Sequence, residues 1–513
     1  MGIDRSRQQT ESDLEEKKPA AEGVQSRLNS ESPSPTSDAL PEPERLKPSV
    51  SWRMLLTIAS AVGVWILPVP EGVTSQAWHL LALFVGTVVG IILRPLPMGA
   101  VAIIGVTATA LTGTLTIQES LSGFGNSVIW LIVVAFFISR GFIKSGFGNR
   151  IAYLFILLLG KRTLGLGYGL VATDLVLAPA IPSNTARAGG VVFPVLLSVA
   201  STYGSHPGEG TSRRIGAFLA QTAFQGTLIT SAMFLTAMAA NPLAAELAAG
   251  MGIEIGWVDW AVAALVPGVL SLVLIPLTIY WLYPPEIKET PGAARLARRE
   301  LQEMGPMKAS EWVMLATFVM LLTLWIFGPK INMSATTTAL VGLSVLLLSG
   351  VLTWSDICRE REAWNTLVWF AALVMMATQL NELGLIPWFS ETISGSVSGI
   401  RWEVAFLVLS LVYFYSHYLF ASNTAHVSSM YAPFLAVAVA AGTPPLLAAL
   451  VLAFFNNLFS SMTHYGTGPA PIFFGAGYVE LGTWWKLGAL ISVINISIWL
   501  VAGSLWWKAL GLW

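Results

Sequence analysis

The sequence predicts an all-α polytopic membrane protein, and three observations carry that reading. Of 513 residues, 54% are hydrophobic and only 11% charged, against about a quarter charged in soluble domains. Apolar runs suited to crossing roughly 30 Å of hydrocarbon as helices recur along the chain. Two polar clusters interrupt them, 239 residues apart. The net charge of −1 gives no hold for nucleic acid. The lone Cys358 excludes an intramolecular disulfide and a cysteine-built metal centre.

Taken in order, residues 1–48 are polar, carry Pro and Ser, and include Glu11, Asp13, Glu15, Glu16, Glu22 and Glu31. Such a stretch cannot bury enough apolar surface to offset its ordering entropy, so it is predicted to be a disordered cytoplasmic tail. It has no apolar core of a secretory signal, and its acids do not suit a transit peptide. A first membrane half, 52–285, carries apolar segments at about 52–69, 76–93, 98–116, 127–143, 214–240 and 258–283. A cytoplasmic loop follows at 286–311. The second half, 312–513, has segments at about 312–328, 336–353, 366–380, 402–420, 446–465 and 485–507. About eleven of these are counted as transmembrane helices. With the N-terminus inside, Arg53, Arg94, Lys161, Arg162, Arg213, Arg214, Lys288, Arg295, Arg359 and Arg361 all face the cytoplasm, as the positive-inside rule requires.

The polar clusters are "PAIPSNTARAGGVVFP" at 179–194 and "LFASNTAHVSSMYAP" at 419–433. Adding 239 carries Ser183-Asn184-Thr185-Ala186 onto Ser422-Asn423-Thr424-Ala425, Trp130 onto Trp369 and Pro194 onto Pro433. The flanking arms are short and broken, the first by Pro179 and Pro182. This predicts re-entrant hairpins at about 164–197 and 402–438, where irregular backbone lines a cavity. An odd number of spans between the copies gives two inverted repeats, the signature of secondary transporters. Each hairpin precedes a second irregular stretch, "QGTLITSAMF" at 225–234 and "THYGTGPAP" at 463–471. An offset of 237 brings Thr230 onto Thr467, so an unwound helix is expected in each half.

Ser and Thr hydroxyls, Asn amides and the free N–H groups of helix starts all donate hydrogen bonds. Two hairpins meeting tip to tip would offer one such cluster to each carboxylate of a dicarboxylate, without a fixed charge that would trap it. Their oxygens also suit a hard cation, which makes Ser183, Asn184, Asn423 and Gly466 candidate sodium ligands. Thr230 and Ser231 join the candidate substrate contacts. Arg187 and His426, again 239 apart, are possible charge partners, since a charge at membrane depth is functional by default. Asp174, His417 and His464 read as structural. No H-E-x-x-H, G-x-S-x-G or G-x-x-x-x-G-K-[ST] is present, which speaks against an intramembrane enzyme or a primary pump. A channel, the remaining class, lacks a tetrameric filter motif.

With "PSNTARAGGVVFP", "SNTAH" and "NNLFSSMTHYGTGPAP", the chain resembles the divalent anion/sodium symporter family over about 52–513. Within it, the plastid 2-oxoglutarate/malate translocators and their bacterial relatives are most similar. The resemblance implies a secondary active carrier of C4/C5 dicarboxylates, not an enzyme. It implies a homodimer of eleven-span protomers in the lipid bilayer, each with a scaffold and a moving transport part that works as an elevator. It assigns binding to Ser183, Asn184, Thr185, Ser422, Asn423 and Thr424, with Thr467 and Pro469. No cofactor is implied beyond sodium as a coupling ion in some members. Arg187 follows the first SNTA, where a fixed positive charge could replace that ion, which favours sodium-independent exchange over sodium-coupled dicarboxylate or citrate symport. The acidic tail favours a bacterial or cyanobacterial plasma membrane over a plastid inner envelope.

Overall fold

The computed structural model describes residues 51–397 and 401–513. The segment 1–48, expected to be a tail, lies outside the described residues. Among the described residues every regular element is helical. Eight helices are long and apolar enough to cross a membrane, among them Ser75–Leu93, Ser127–Ser145, Trp257–Leu282 and Arg361–Glu382. The remaining apolar helices, such as Trp52–Ile66, Met98–Leu111 and Ala335–Leu348, are shorter. At 14 or 15 residues they reach only about 21–23 Å.

The two polar clusters fold alike. In the first, helix Thr163–Leu177 leads to a break, a short tip Asn184–Arg187, a π-helical turn Ala188–Val192 and helix Phe193–Thr202. In the second the same series runs Trp402–Ser416, Asn423–His426, Val427–Tyr431 and Ala432–Ala440. Adding 239 to both ends of the leading helix, the tip and the π turn of the first hairpin returns those of the second. Proline explains the widened turn. Pro194 and Pro433 have no N–H for the carbonyl four residues back, so the preceding turn opens to the i→i+5 pattern. The serine starts each tip in extended backbone, with φ/ψ of −124°/105° at Ser183 and −158°/132° at Ser422. Only Ser183 also caps its tip, its oxygen accepting from the Ala186 N–H at 3.1 Å.

The stretches after the hairpins differ from expectation. Helix Gly216–Met233 runs unbroken through 225–233, and the irregular backbone begins at Phe234. Its Thr and Ser residues do not break it: Thr230 turns its hydroxyl to the Asp174 carboxylate and Ser231 Oγ accepts from Arg187, so neither competes for the helix backbone. What ends it is Asn241, whose amide donates to Ser231 O at 2.7 Å and Phe234 O at 2.9 Å. In the second half, helix Pro445–Leu458 ends in a 3₁₀ turn, Phe459–Ser461, and helix resumes at Pro469–Gly475. Met233 and Leu458 are 225 apart, so the 237 offset that paired Thr230 with Thr467 does not join equivalent positions.

Packing separates two groups around the tips. Trp52–Ile66, Ser75–Leu93, Met98–Leu111 and Arg361–Glu382 pack on one another. The hairpin tips, with the π turns that follow them, rest mainly on Gly216–Met233, Ala240–Ala249 and Pro445–Leu458, and the second tip also touches Ser75–Leu93 of the first group.

Candidate functional site

Both tips open onto one cavity of about 520 Å³. Ser183, Asn184 and Thr185 line it from the first hairpin, and Ser422, Asn423 and Thr424 from the second. Met238 and Ala239 from the first broken segment and Thr467 and Gly468 from the second complete this side. The asparagines tie tips to breaks. Asn184 Nδ2 donates to Thr467 Oγ1 at 3.3 Å, which joins the first tip to the second broken helix. Asn423 Nδ2 donates to the Asn456 carbonyl at 2.7 Å, and Ser460 Oγ donates to Asn423 Oδ1 at 3.4 Å. Glycine makes the close approach possible. A Cβ on Gly468 would fall 1.8 Å from Thr185 Oγ1, and one on Gly466 would fall 2.6 Å from His417 Nε2.

Six candidates from the sequence lie behind this cavity instead of lining it: Thr230, Ser231, Arg187, His426, Gly466 and Pro469. Arg187 is fully buried. Its Nε donates to Asp174 Oδ1 at 3.0 Å, and one terminal nitrogen donates to the carbonyls of Ile181 and Ala237 at 2.6 Å each. The other donates to Ser231 Oγ at 2.8 Å, and Thr230 donates its hydroxyl to the Asp174 carboxylate. The expectation that Arg187 serves as a charge partner of the solute is therefore corrected: its donors are engaged within the protein. Thr230 and Ser231 support this pair, not the solute.

His426 is buried among aromatic rings. It lies 4.6 Å, centroid to centroid, from each of Tyr413, Phe420 and Phe459. Its Nδ1 is 3.2 Å from His417 Nδ1, and its Nε2 is 3.2 Å from Ser416 Oγ. His417 Nε2 in turn lies 3.1 Å from the Gly466 carbonyl, so that oxygen faces the His417 ring and not the cavity. Pro469 starts the helix whose Pro471 does line the cavity. The repeat extends to these contacts. Adding 239 to Asp174 gives Tyr413, so the pair Asp174–Arg187 and the pair Tyr413–His426 stand at matching positions.

The opposite wall was not anticipated from sequence. Glu362, Asn365, Thr366 and Trp369 line it from one face of helix Arg361–Glu382, with Arg94 and Tyr465 beside them. The spacing 362, 365, 366 and 369 is a helical stripe, a signal present in the sequence but with nothing there to say which cavity it faces.

A family model described as "Sodium:sulfate symporter transmembrane region" matches residues 49–513. The chain is 61% identical over 461 residues to the putative malate transporter YflS of Bacillus subtilis (strain 168), covering 90% of this chain and 96% of that one. It is 52% identical to the chloroplastic dicarboxylate transporter 1 of Spinacia oleracea, covering 90% and 81%. Among solved structures, the Alcanivorax borkumensis YdaH transporter superposes with a TM-score of 0.56 at 14% identity, over 90% of this chain and 97% of that one. At that identity the likeness is one of fold alone. With the whole of its membrane part matched, the chain belongs to the sodium:sulfate symporter family, the divalent anion/sodium symporters, and is a multi-pass membrane transporter.

Proposed function

We propose that the chain is a secondary carrier that exchanges C4/C5 dicarboxylates of the malate and 2-oxoglutarate type across a bacterial plasma membrane. The observation that carries this reading is the convergence of two SNT tips on one cavity. Each tip supplies neutral donors to one carboxylate: the serine and threonine hydroxyls, the asparagine amide and the first N–H groups of the tip helix. The hydroxyls of Ser422 and Thr424 donate no hydrogen bond among the described residues, so they are free for a solute. A loaded site satisfies these donors; an empty one would carry them unsatisfied through the barrier, which favours exchange over net uptake. The names of the relatives, a putative malate transporter and a dicarboxylate transporter, support the same substrate class.

Sodium independence is supported by the first hairpin. The carbonyls of Ile181 and Ala237 are the kind of oxygen a hard cation takes, and here the Arg187 guanidinium occupies them. The paired Asp174 leaves the site without net charge. Arg187 thus replaces an ion's coordination without adding a positive charge to the carrier. Substrate binding is assigned to Ser183, Asn184, Thr185, Ser422, Asn423, Thr424 and Thr467. We read the two hairpins as inverted copies that move as one elevator against the group of Ser75–Leu93 and Arg361–Glu382, in a homodimer.

Labelled-malate uptake into proteoliposomes tests this, with unlabelled dicarboxylate inside or absent and with sodium outside or absent. Uptake should require the internal dicarboxylate and ignore sodium. Sodium-driven uptake into empty vesicles would make the protein a symporter, and uptake indifferent to internal substrate would make it a channel.

A further inference from the structure

Arg94 stands apart from every other basic residue near the site. It caps the C-terminus of helix Ser75–Leu93 in left-handed backbone, φ 50° and ψ 55°, where side-chain-bearing residues are uncommon. Its N–H is bonded to the Gly90 carbonyl at 2.9 Å, and Pro95 and Pro97 stiffen the chain that follows. The side chain lines the 520 Å³ cavity and also an adjoining one of about 430 Å³ that shares Met98 and Asn365 with it. It therefore stands where the two meet. Among the described residues it is the one Lys or Arg lining either cavity, and Glu362 is the one acid. Buried Arg150 and Arg187 have carboxylate partners, whereas no ion pair among the described residues involves Arg94. Its helix packs with Trp52–Ile66, Met98–Leu111 and Arg361–Glu382 and meets the second tip, Asn423–His426, from the front, opposite the elements that hold the tips from behind.

We infer that Arg94 is a specificity residue that meets the outer carboxylate of the bound dianion at the cavity mouth, on one face of the membrane only. A guanidinium offers a planar fork to a carboxylate, and a cleft with low-dielectric walls concentrates its field on an entering anion. When the tips move away from the group that bears Arg94, the solute leaves this cation behind. The residue then raises affinity at the face onto which the cavity opens and leaves the opposite face unaffected. Glu362, on the same group, acts in the opposite sense and penalises an anion whose charge is not met by Arg94. This inference rests on the dicarboxylate reading of the cavity.

The test is the KM for malate measured from each face, in vesicles of both orientations, for wild type, Arg94→Asn, Arg94→Lys and Glu362→Gln. Asparagine tolerates the left-handed backbone and removes the charge, so it tests charge without strain. Arg94→Asn should raise KM at the open face by about threefold to fivefold, as an exposed charge pair allows, and leave it unchanged at the other. Raising ionic strength should shrink the difference. Arg94→Lys should recover most of the affinity, and Glu362→Gln should lower KM at the same face. Equal KM increases at both faces of Arg94→Asn, or none at either, would overturn the inference. Absence of malate transport by wild type would instead refute the dicarboxylate reading beneath it.

Discussion

Behind the first tip lies an ion pair; behind the second lies a stack of rings. Asp174 and Arg187 occupy the positions that Tyr413 and His426 occupy 239 residues later, and in each half the two residues touch. The backbone around them is the same in both halves: a leading helix, an extended serine, a four-residue tip and a π turn set by proline. The frame thus depends on Ser, Asn and Pro, while the chemistry behind it is free to vary. In the first half a guanidinium with a carboxylate counter-charge fills the space between two carbonyls. In the second, imidazole–aromatic packing does the equivalent structural work, and Tyr413 anchors the stack through its hydroxyl to Asn456 Oδ1 at 2.5 Å.

The largest difference between the halves should be one of stability. Asp174→Ala leaves the fully buried Arg187 without its counter-charge, a loss of about 3–5 kcal/mol. Tyr413→Phe keeps the ring contacts and loses one hydrogen bond, about 1 kcal/mol. Thermal unfolding in detergent should therefore separate the two variants widely. Equal melting temperatures would mean that the ion pair is no more than the aromatic stack in another form.

Function should show the reverse, symmetry instead of contrast. Asn184→Ala and Asn423→Ala each leave site groups unpaired at about 1–3 kcal/mol, a loss of roughly tenfold to a hundredfold in malate affinity. Both proteins should remain folded by size exclusion. If both variants bind malate almost normally, the SNT tips are not the binding site.

A smaller contrast lies at the serines. Ser183 caps its tip and Ser422 does not. Ser183→Ala should cost about 0.5–2 kcal/mol in stability, and Ser422→Ala almost none, although both remove a hydroxyl from the cavity. Unfolding midpoints and malate KM measured on the same preparations separate capping from binding. Matching stability losses would remove the asymmetry between the tips.

The hairpins were legible in the sequence because their determinants are local: a polar triplet, flanking prolines and one offset repeated by several residue types. The tip residues of the cavity followed from that pattern. The position of the first break did not, since Thr230 and Ser231 look like interruptions but are accommodated within a regular helix, and the break is set by Asn241 ten residues past Ser231. The partnership of Asp174 with Arg187 left no repeat signal, because Asp and Tyr at equivalent positions do not match. Arg94 and Glu362 were missed for a different reason. They reach the site from helices far away in the chain, and one sequence contains no information on which distant helix faces which hairpin.

The sodium dependence of malate exchange, measured side by side for wild type and Arg187→Ala, tests most directly whether the first hairpin holds its own substitute for a cation. Removing the guanidinium uncovers Asp174 and the carbonyls of Ile181 and Ala237, an oxygen set suited to sodium. Wild-type exchange should be flat across a sodium titration, and the variant should be impaired without sodium and recover as sodium rises. Wild-type exchange that climbs with sodium would contradict the account.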